Sequence, residues 1–352
     1  MKKTALVVCP GRGTYNKPEL GSISSKIAED GAKVRDIIHQ IDAVRAELDC
    51  PTVTELDQMD LYKSRVHQSP DNAAALIYAA GYTDFLAINR DEYDVVAITG
   101  NSMGWYTAMA CAGCWSVDTS TRLVTNMAQL TAGGAGAQFI YPLVDGNWQP
   151  SAEYRARVAE QLAAHQGDLM MSINYGGYAV LAGTTAACEA AIAALPMVDE
   201  RFPLLLPGHA AFHTSLMSEA SEAALERWPP VLFKAPHTPL VDGRGHCWSG
   251  HIASAEALHG YTLGHQVTQT YDFTRAIQVA VKEYAPDHII LLGPGSGLGG
   301  AVAQALIQCN WQGLDSKESF SARQQRPHPY VLSMGLPEQR ALVTGHGSEN
   351  NK

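Results

Sequence analysis

A serine framed by glycines, in "AITGNSMGWYTAMACAG" (residues 97–113), is the residue whose setting most suggests chemistry. A serine hydroxyl attacks a carbonyl carbon only when a base takes its proton and donors stabilise the oxyanion that forms. The spacing Gly-x-Ser-x-Gly suits a sharp turn from strand to helix, with Gly100 and Gly104 relieving the crowding. Such a turn exposes Ser102 at the carboxyl end of a sheet and aims the Met103 backbone N–H and the helix N-terminus at developing negative charge. The flanking residues agree: apolar "DVVAI" precedes the turn and helical "GWYTAMACAGCW" follows it. Thirteen histidines compete for the role of base. His213 stands out because "PGHAAFHTSLM" places it directly after a predicted strand and before the helical run "SLMSEASEAALERW". A third group should then hold the imidazole by its other nitrogen.

Two further motifs read as structure. Cys111 and Cys114 sit one helical turn apart among small residues, with no second Cys/His pair at metal-ligand spacing, so they are expected to fill core; no metal site is predicted. The glycines of "GPGSGLGG" (Gly293, Gly295, Gly297) follow a predicted strand, but no acidic residue about twenty positions on ends a second strand. A close-packed turn is expected there rather than a dinucleotide site.

These residues need a framework of strands and helices. "TALVVC" reads as a buried strand and "PGRGTYNKPELG" as the loop after it. Ile23, Ile27, Val34, Ile37, Ile38, Ile41 and Val44 recur near a helical period, and "SPDNAAALIYAAGYTDFLAI" gives a second helical signal opened by Pro70 and Asp71. Between the serine and the histidine the chain reads strand, helix, strand, strand, helix, strand, which is the ferredoxin-like order. The expected fold class is α/β: a larger α/β-hydrolase-like core with a parallel sheet (1–130 and 205–315) and a smaller inserted ferredoxin-like (βαββαβ) subdomain (135–205). The polar stretch 316–352 is expected to be a peripheral extension.

Composition narrows the function. A chain of 352 residues, 46% hydrophobic, can bury a sizeable core, and a net charge of -10 argues against nucleic-acid or anionic-membrane binding. No window approaches the roughly 18 apolar residues of a membrane-spanning helix. The apolar run Ala5 to Cys9 is too short for a signal peptide, so a cytoplasmic location is expected.

Four separated motifs resemble, in order, those of the malonyl-CoA:acyl-carrier-protein transacylase family, which includes the acyltransferase domains of fatty-acid and polyketide synthesis. "CPGRG" is similar to its Phe-Pro-Gly-Gln-Gly, "GNSMGWYTA" to its Gly-His-Ser-x-Gly-Glu-x-x-Ala, "AFHTSLM" to its His-Ser-x-x-Met and "LLGPGSGL" to its Gly-Pro-x-x-x-Leu. The resemblance covers residues 5 to about 308. It implies Ser102 as acyl acceptor, His213 as base and an oxyanion hole made by the backbone N–H groups of Arg12 and Met103. It places the acceptor that orients His213 at Asp272, and it likens Asn174 in "INYGGY" to the asparagine of Asn-Ser-Pro-x-Gln. It implies acyl-CoA as donor, the phosphopantetheine of an acyl carrier protein as acceptor, and no bound cofactor.

The departures bear on specificity. Asn101 stands where the family has His, and Arg12 where it has Gln. Met127 stands where members that carry malonyl or methylmalonyl have an arginine whose guanidinium pairs with the free carboxylate. An acyl portion that is alkyl or otherwise uncharged is therefore expected at Met127, unless Arg12 or Arg122 reaches a carboxylate from another direction. Lys234, Arg244 and Arg275 are candidates for contact with an acidic carrier protein. Two other functions stay open: a serine thioesterase or hydrolase with His288, His328 or His346 as base, and a catalytically silent module that binds carrier proteins.

Overall fold

The computed structural model describes residues 1–345. Among them eleven strands follow in chain order: β1 (Lys3–Cys9), β2 (Tyr93–Gly100), β3 (Ala137–Pro142), β4 (Leu169–Tyr175), β5 (Tyr178–Gly183), β6 (Leu204–Leu205), β7 (Leu240–Val241), β8 (Cys247–Trp248), β9 (Tyr271–Asp272), β10 (His288–Leu291) and β11 (Val331–Ser333). They form two sheets, ordered β11-β10-β1-β2-β7-β8 and β6-β3-β5-β4-β9.

The larger sheet is parallel from β11 through β7 and closes with the antiparallel pair β7/β8. Its central strand β1 is an unbroken apolar run, Ala5 to Cys9 being fully buried, as a strand covered by helices on both faces must be. The parallel order brings the ends of β1, β2 and β10 side by side. The loops that follow them, at Gly11–Gly13, Ser102 and Gly293–Gly297, therefore share the carboxyl edge where α/β sheets place their ligands.

The smaller sheet is built from β3, the helix Ala152–Ala164, β4, β5, the helix Thr185–Ala194 and β6. It has its own apolar cluster around Phe139, Tyr141, Leu169, Leu181 and Phe202. The β-α-β-β-α-β order expected from the sequence is present, although "RFPLLLP" contributes only two strand residues. The sheet also recruits β9 from beyond the histidine, parallel to β4, so the chain's later half enters both layers.

The tail departs from expectation. The polar segment from Ser316 is not peripheral: β11 pairs in parallel with β10, and Phe320, Tyr330 and Val343 are buried. Arg340, 7% exposed, reaches Asp30 at 2.5 Å and Asp84 at 3.7 Å, while Lys26 pairs with Asp84 at 2.8 Å. The mutual neutralisation of two cations and two carboxylates lets a charged tail dock in the interior, which hydropathy alone does not anticipate. Asp84 Oδ2 also accepts the Gly293 N–H at 2.8 Å, so this cluster holds the glycine-rich turn after β10. A Cβ on Gly335 would lie 1.9 Å from the Gly295 carbonyl oxygen, which confirms a close-packed turn. Among the described residues no helix is long and apolar enough to cross a membrane, and no cluster of His, Cys, Asp or Glu could hold a metal. Cys111 and Cys114 are free and buried.

Candidate active site

Ser102 follows β2 directly and precedes the helix Gly104–Cys111. Its φ of 54° lies in the left-handed region, where non-glycine residues are strained. The two glycines of the motif have different tasks. A Cβ on Gly100 would meet the Gly104 carbonyl oxygen at 2.3 Å, and one on Gly104 would meet the Cys9 carbonyl oxygen at the same distance. The turn can thus be tight only with glycine at both places, one closing the loop and the other letting the helix sit against β1.

His213 also has a positive φ, 58°, and is 4% exposed. Its Nε2 lies 2.7 Å from Ser102 Oγ and its Nδ1 lies 2.6 Å from the Gln266 carbonyl oxygen. The carbonyl can only accept, so Nδ1 carries the proton and Nε2 is left to accept the serine O–H. Burial pushes the imidazole down to about 4, partly offset by the bond to Gln266, and the ring is neutral at physiological pH.

The orienting acceptor is therefore Gln266, not Asp272. Gln266 opens the short helix Gln266–Thr268, and a carbonyl this near a helix end has no partner within the helix, leaving it free for the imidazole. Its side chain acts on the serine turn: Nε2 donates to the Ser102 carbonyl at 3.1 Å, and Oε1 accepts from Tyr106 at 3.2 Å. Asp272, six residues on, caps the helix Phe273–Tyr284 by accepting the Arg275 N–H, and takes a second bond from Asn174 Nδ2 at 3.1 Å. Asn174 is thus a partner of Asp272. Side chains alternate along β4, and its neighbours Ile173 and Tyr175, not Asn174, line the cavity at Ser102. Tyr271, beside Asp272, was not anticipated. Its ring lies 5.4 Å from that of His213 and its hydroxyl donates to the Gly100 carbonyl.

Two cavities meet at Ser102. One, of about 60 Å³, runs behind the serine and is bounded by apolar groups including Ala74, Val124, Met127 and Met217. Met127, 2% exposed, faces it from the helix Val117–Ala132. Arg122 on that same helix points away, into exposed ion pairs with Glu47 and Asp118, and cannot serve this cavity. The other cavity, of about 410 Å³, lies between the two sheets, with Ile173 and Tyr178 on one side and Gly300 on the other. Asn101 lines it, and its Oδ1 is buried with no hydrogen-bond partner among the described residues. Arg12 and Phe212 line both cavities. The backbone N–H groups of Arg12 and Met103 donate to nothing within the described residues, as an anion-binding pair must.

His288 and His328 share a cavity with Tyr93. His288 and Tyr93 begin β10 and β2, whereas Ser102 follows the end of β2, so these histidines lie at the opposite edge of the sheet from the serine. His346 lies outside the described residues.

No family model matches the chain. Over 234 residues it is 25% identical to the malonyl CoA-acyl carrier protein transacylase of Salmonella typhimurium, and 26% identical to that of Escherichia coli K12. Each match spans 64% of this chain and 71% of the relative. Among solved structures, the malonyl-CoA:ACP transacylase of Synechocystis superposes with a TM-score of 0.74 at 17% identity, over 97% of this chain and all of that one. The malonyl CoA-acyl carrier protein transacylase of Coxiella burnetii gives 0.74 at 16% identity over 98% of both chains. A malonyl-transacylase in complex with a type II PKS acyl-carrier protein gives 0.71 at 18% identity, over 98% of this chain and all of that one. By sequence and fold together, the chain is similar to the malonyl-CoA:acyl-carrier-protein transacylases, which are acyltransferases, and it shares their fold.

Proposed function

We propose that the chain is an acyl-CoA:acyl-carrier-protein S-acyltransferase that works by ping-pong transfer through an acyl-Ser102 intermediate. The observation that carries this reading is the line Ser102 Oγ, His213, Gln266 carbonyl, with bonds of 2.7 and 2.6 Å, set where two cavities meet. Ser102 Oγ attacks the thioester carbonyl carbon while His213 Nε2 takes its proton. The Arg12 and Met103 N–H groups hold the oxyanion of the tetrahedral intermediate. As the C–S bond breaks, Nε2 returns the proton to the departing CoA sulfur. The phosphopantetheine thiol of a carrier protein then gives its proton to Nε2, attacks the acyl carbon and releases Ser102, which recovers the proton. Each half balances without a metal or redox group, and no cofactor is assigned.

The part of the acyl group that packs against Met127 is uncharged, because Met127 offers no cation there and an unpaired buried carboxylate costs several kcal/mol. The donor and carrier arm enter through the larger cavity, which Asn101 borders. Of the surface cations considered for carrier docking, Arg244 is paired with Asp242 at 2.6 Å and stacks on Tyr261. Arg275 instead joins Arg155 and Lys282 in a groove of about 580 Å³ where none of the three has an ion-pair partner among the described residues. We assign the acidic carrier to that groove. We also read the two layers as an α/β-hydrolase-like core with a ferredoxin-like subdomain, and place the enzyme in the cytoplasm.

Intact-protein mass spectrometry after brief incubation with a panel of acyl-CoAs, with a Ser102→Ala control, tests this reading. A serine-dependent acyl adduct that a carrier protein discharges is expected. Adducts that water clears faster than the carrier would make the chain a hydrolase, and a folded protein that gains no adduct would be a silent module.

A further inference from the structure

The cavities at Ser102 contain a cation that nothing among the described residues balances. Arg12 occupies the middle of the loop Gly11–Gly13 after β1, and its guanidinium carbon lies 5.5 Å from the centre of the Phe212 ring. It makes no ion pair and no hydrogen bond among the described residues, although it lines both cavities with Ser102. Among the described residues no Asp or Glu lines either cavity; the other titratable groups there are Arg201, His209, His213 and tyrosines. Burial lowers the Arg12 guanidinium, yet an arginine stays charged at any working pH. A desolvated cation without a counter-ion is retained only at a cost, and the missing anion is then supplied by what binds.

The shelf beneath Arg12 is fixed. Ser172 Oγ donates to the Phe212 carbonyl at 2.7 Å and accepts from Gln138 Nε2 at 2.7 Å, while Gln138 Oε1 accepts from His209 Nδ1 at 2.7 Å. Burial and the charge of Arg12 hold His209 down to about 3, so it adds no competing cation. The guanidinium is therefore held over an aromatic ring, with its N–H groups unengaged among the described residues.

We propose that Arg12 is the specificity-determining residue of the acyl site. It pairs with a carboxylate borne close to the thioester carbon, and the alkyl remainder of the same acyl group fills the cavity bounded by Met127. The cation thus comes from the first glycine loop rather than from the helix Val117–Ala132. The inference rests on the acyl-transfer reading and deepens it, because it requires a charged and an apolar branch on one short acyl group.

Methylmalonyl-CoA and propionyl-CoA test it, since they differ only by the carboxylate. Serine-dependent loading is measured as kcat/KM for each donor in the wild type, Arg12→Gln and Arg12→Lys. The wild type is expected to favour methylmalonyl-CoA by at least about 30-fold, the loss expected when one partner of a buried charge pair is removed. Arg12→Gln should bring the ratio to about one, with Arg12→Lys between them, because lysine keeps the charge without the planar fork. A wild-type ratio of one or less, or a ratio unmoved in Arg12→Gln, overturns the assignment while leaving acyl transfer intact. Failure of the folded wild type to load any acyl donor overturns both.

Discussion

The proton inventory of His213 yields the sharpest prediction. A base works only in its neutral form, and its neutral fraction is set by how far pH lies above its pKa. Burial holds His213 down to about 4 against an ordinary 6.5. At pH 5.5 about 97% of the imidazole is then neutral, whereas an unperturbed histidine would be only about 9% neutral. Serine loading should accordingly be nearly flat from pH 8 to 5.5, where an ordinary histidine would lose about tenfold. Rapid-quench measurement of acyl-Ser102 formation from a short pantetheine thioester, as kcat/KM across pH 4.5 to 8, reads this directly. The same shift acts on stability. Because the folded-state pKa is lowered, the unfolded chain binds more protons between pH 6.5 and 4, so stability is lost as pH falls through that window. For His213 alone the loss at pH 5 is about 2 kcal/mol, and His209, held to about 3, adds to it in the same direction. A loading profile with its midpoint between 6 and 7 would show that the ring is not held neutral by burial and would refute the reasoning.

Met127→Ala should enlarge the small cavity, raise the loading of longer alkyl donors relative to short ones about tenfold, and cost about 2 to 5 kcal/mol in denaturant unfolding. An unchanged chain-length profile would remove Met127 from the pocket wall. Arg340→Met withdraws the cation shared by Asp30 and Asp84 and should cost about 3 to 5 kcal/mol; a loss under 1 kcal/mol would return the tail to the periphery. Arg275→Glu with Lys282→Glu should raise the KM for an acidic carrier protein several-fold, more at low salt than at high, with loading from acyl-CoA unaltered. Equal KM values would place the carrier elsewhere.

Much of the site was legible because its signals are local. Gly-x-Ser-x-Gly after an apolar run specifies a strained turn by itself, since only glycine fits where Cβ atoms would meet carbonyls at 2.3 Å. His213 could be picked out by its place after a strand, and Met127 by standing where the resembled family has its arginine. Gln266 could not, because it acts through a backbone carbonyl, and every residue has one. Only the packing of a helix end against the imidazole decides which carbonyl is used, and the family resemblance pointed six residues away, to Asp272. Asn174 and Arg122 failed for a related reason: residue type was right, but strand alternation and helix rotation turned both from the cavity.

The same division holds for the fold. Sequence by itself determined the order of strands and helices, because hydrophobic period and turn chemistry are properties of neighbours along the chain. It did not determine that β9 would join the smaller sheet, that β11 would extend the larger one, or that Arg340 would find Asp30 and Asp84. Those are pairings between segments far apart in sequence, and polar composition reads as exposure until a partner of opposite charge is brought beside it. The guanidinium of Arg12 belongs there too: its residue type was plain from the start, but its lack of a partner among the described residues is a fact of three dimensions.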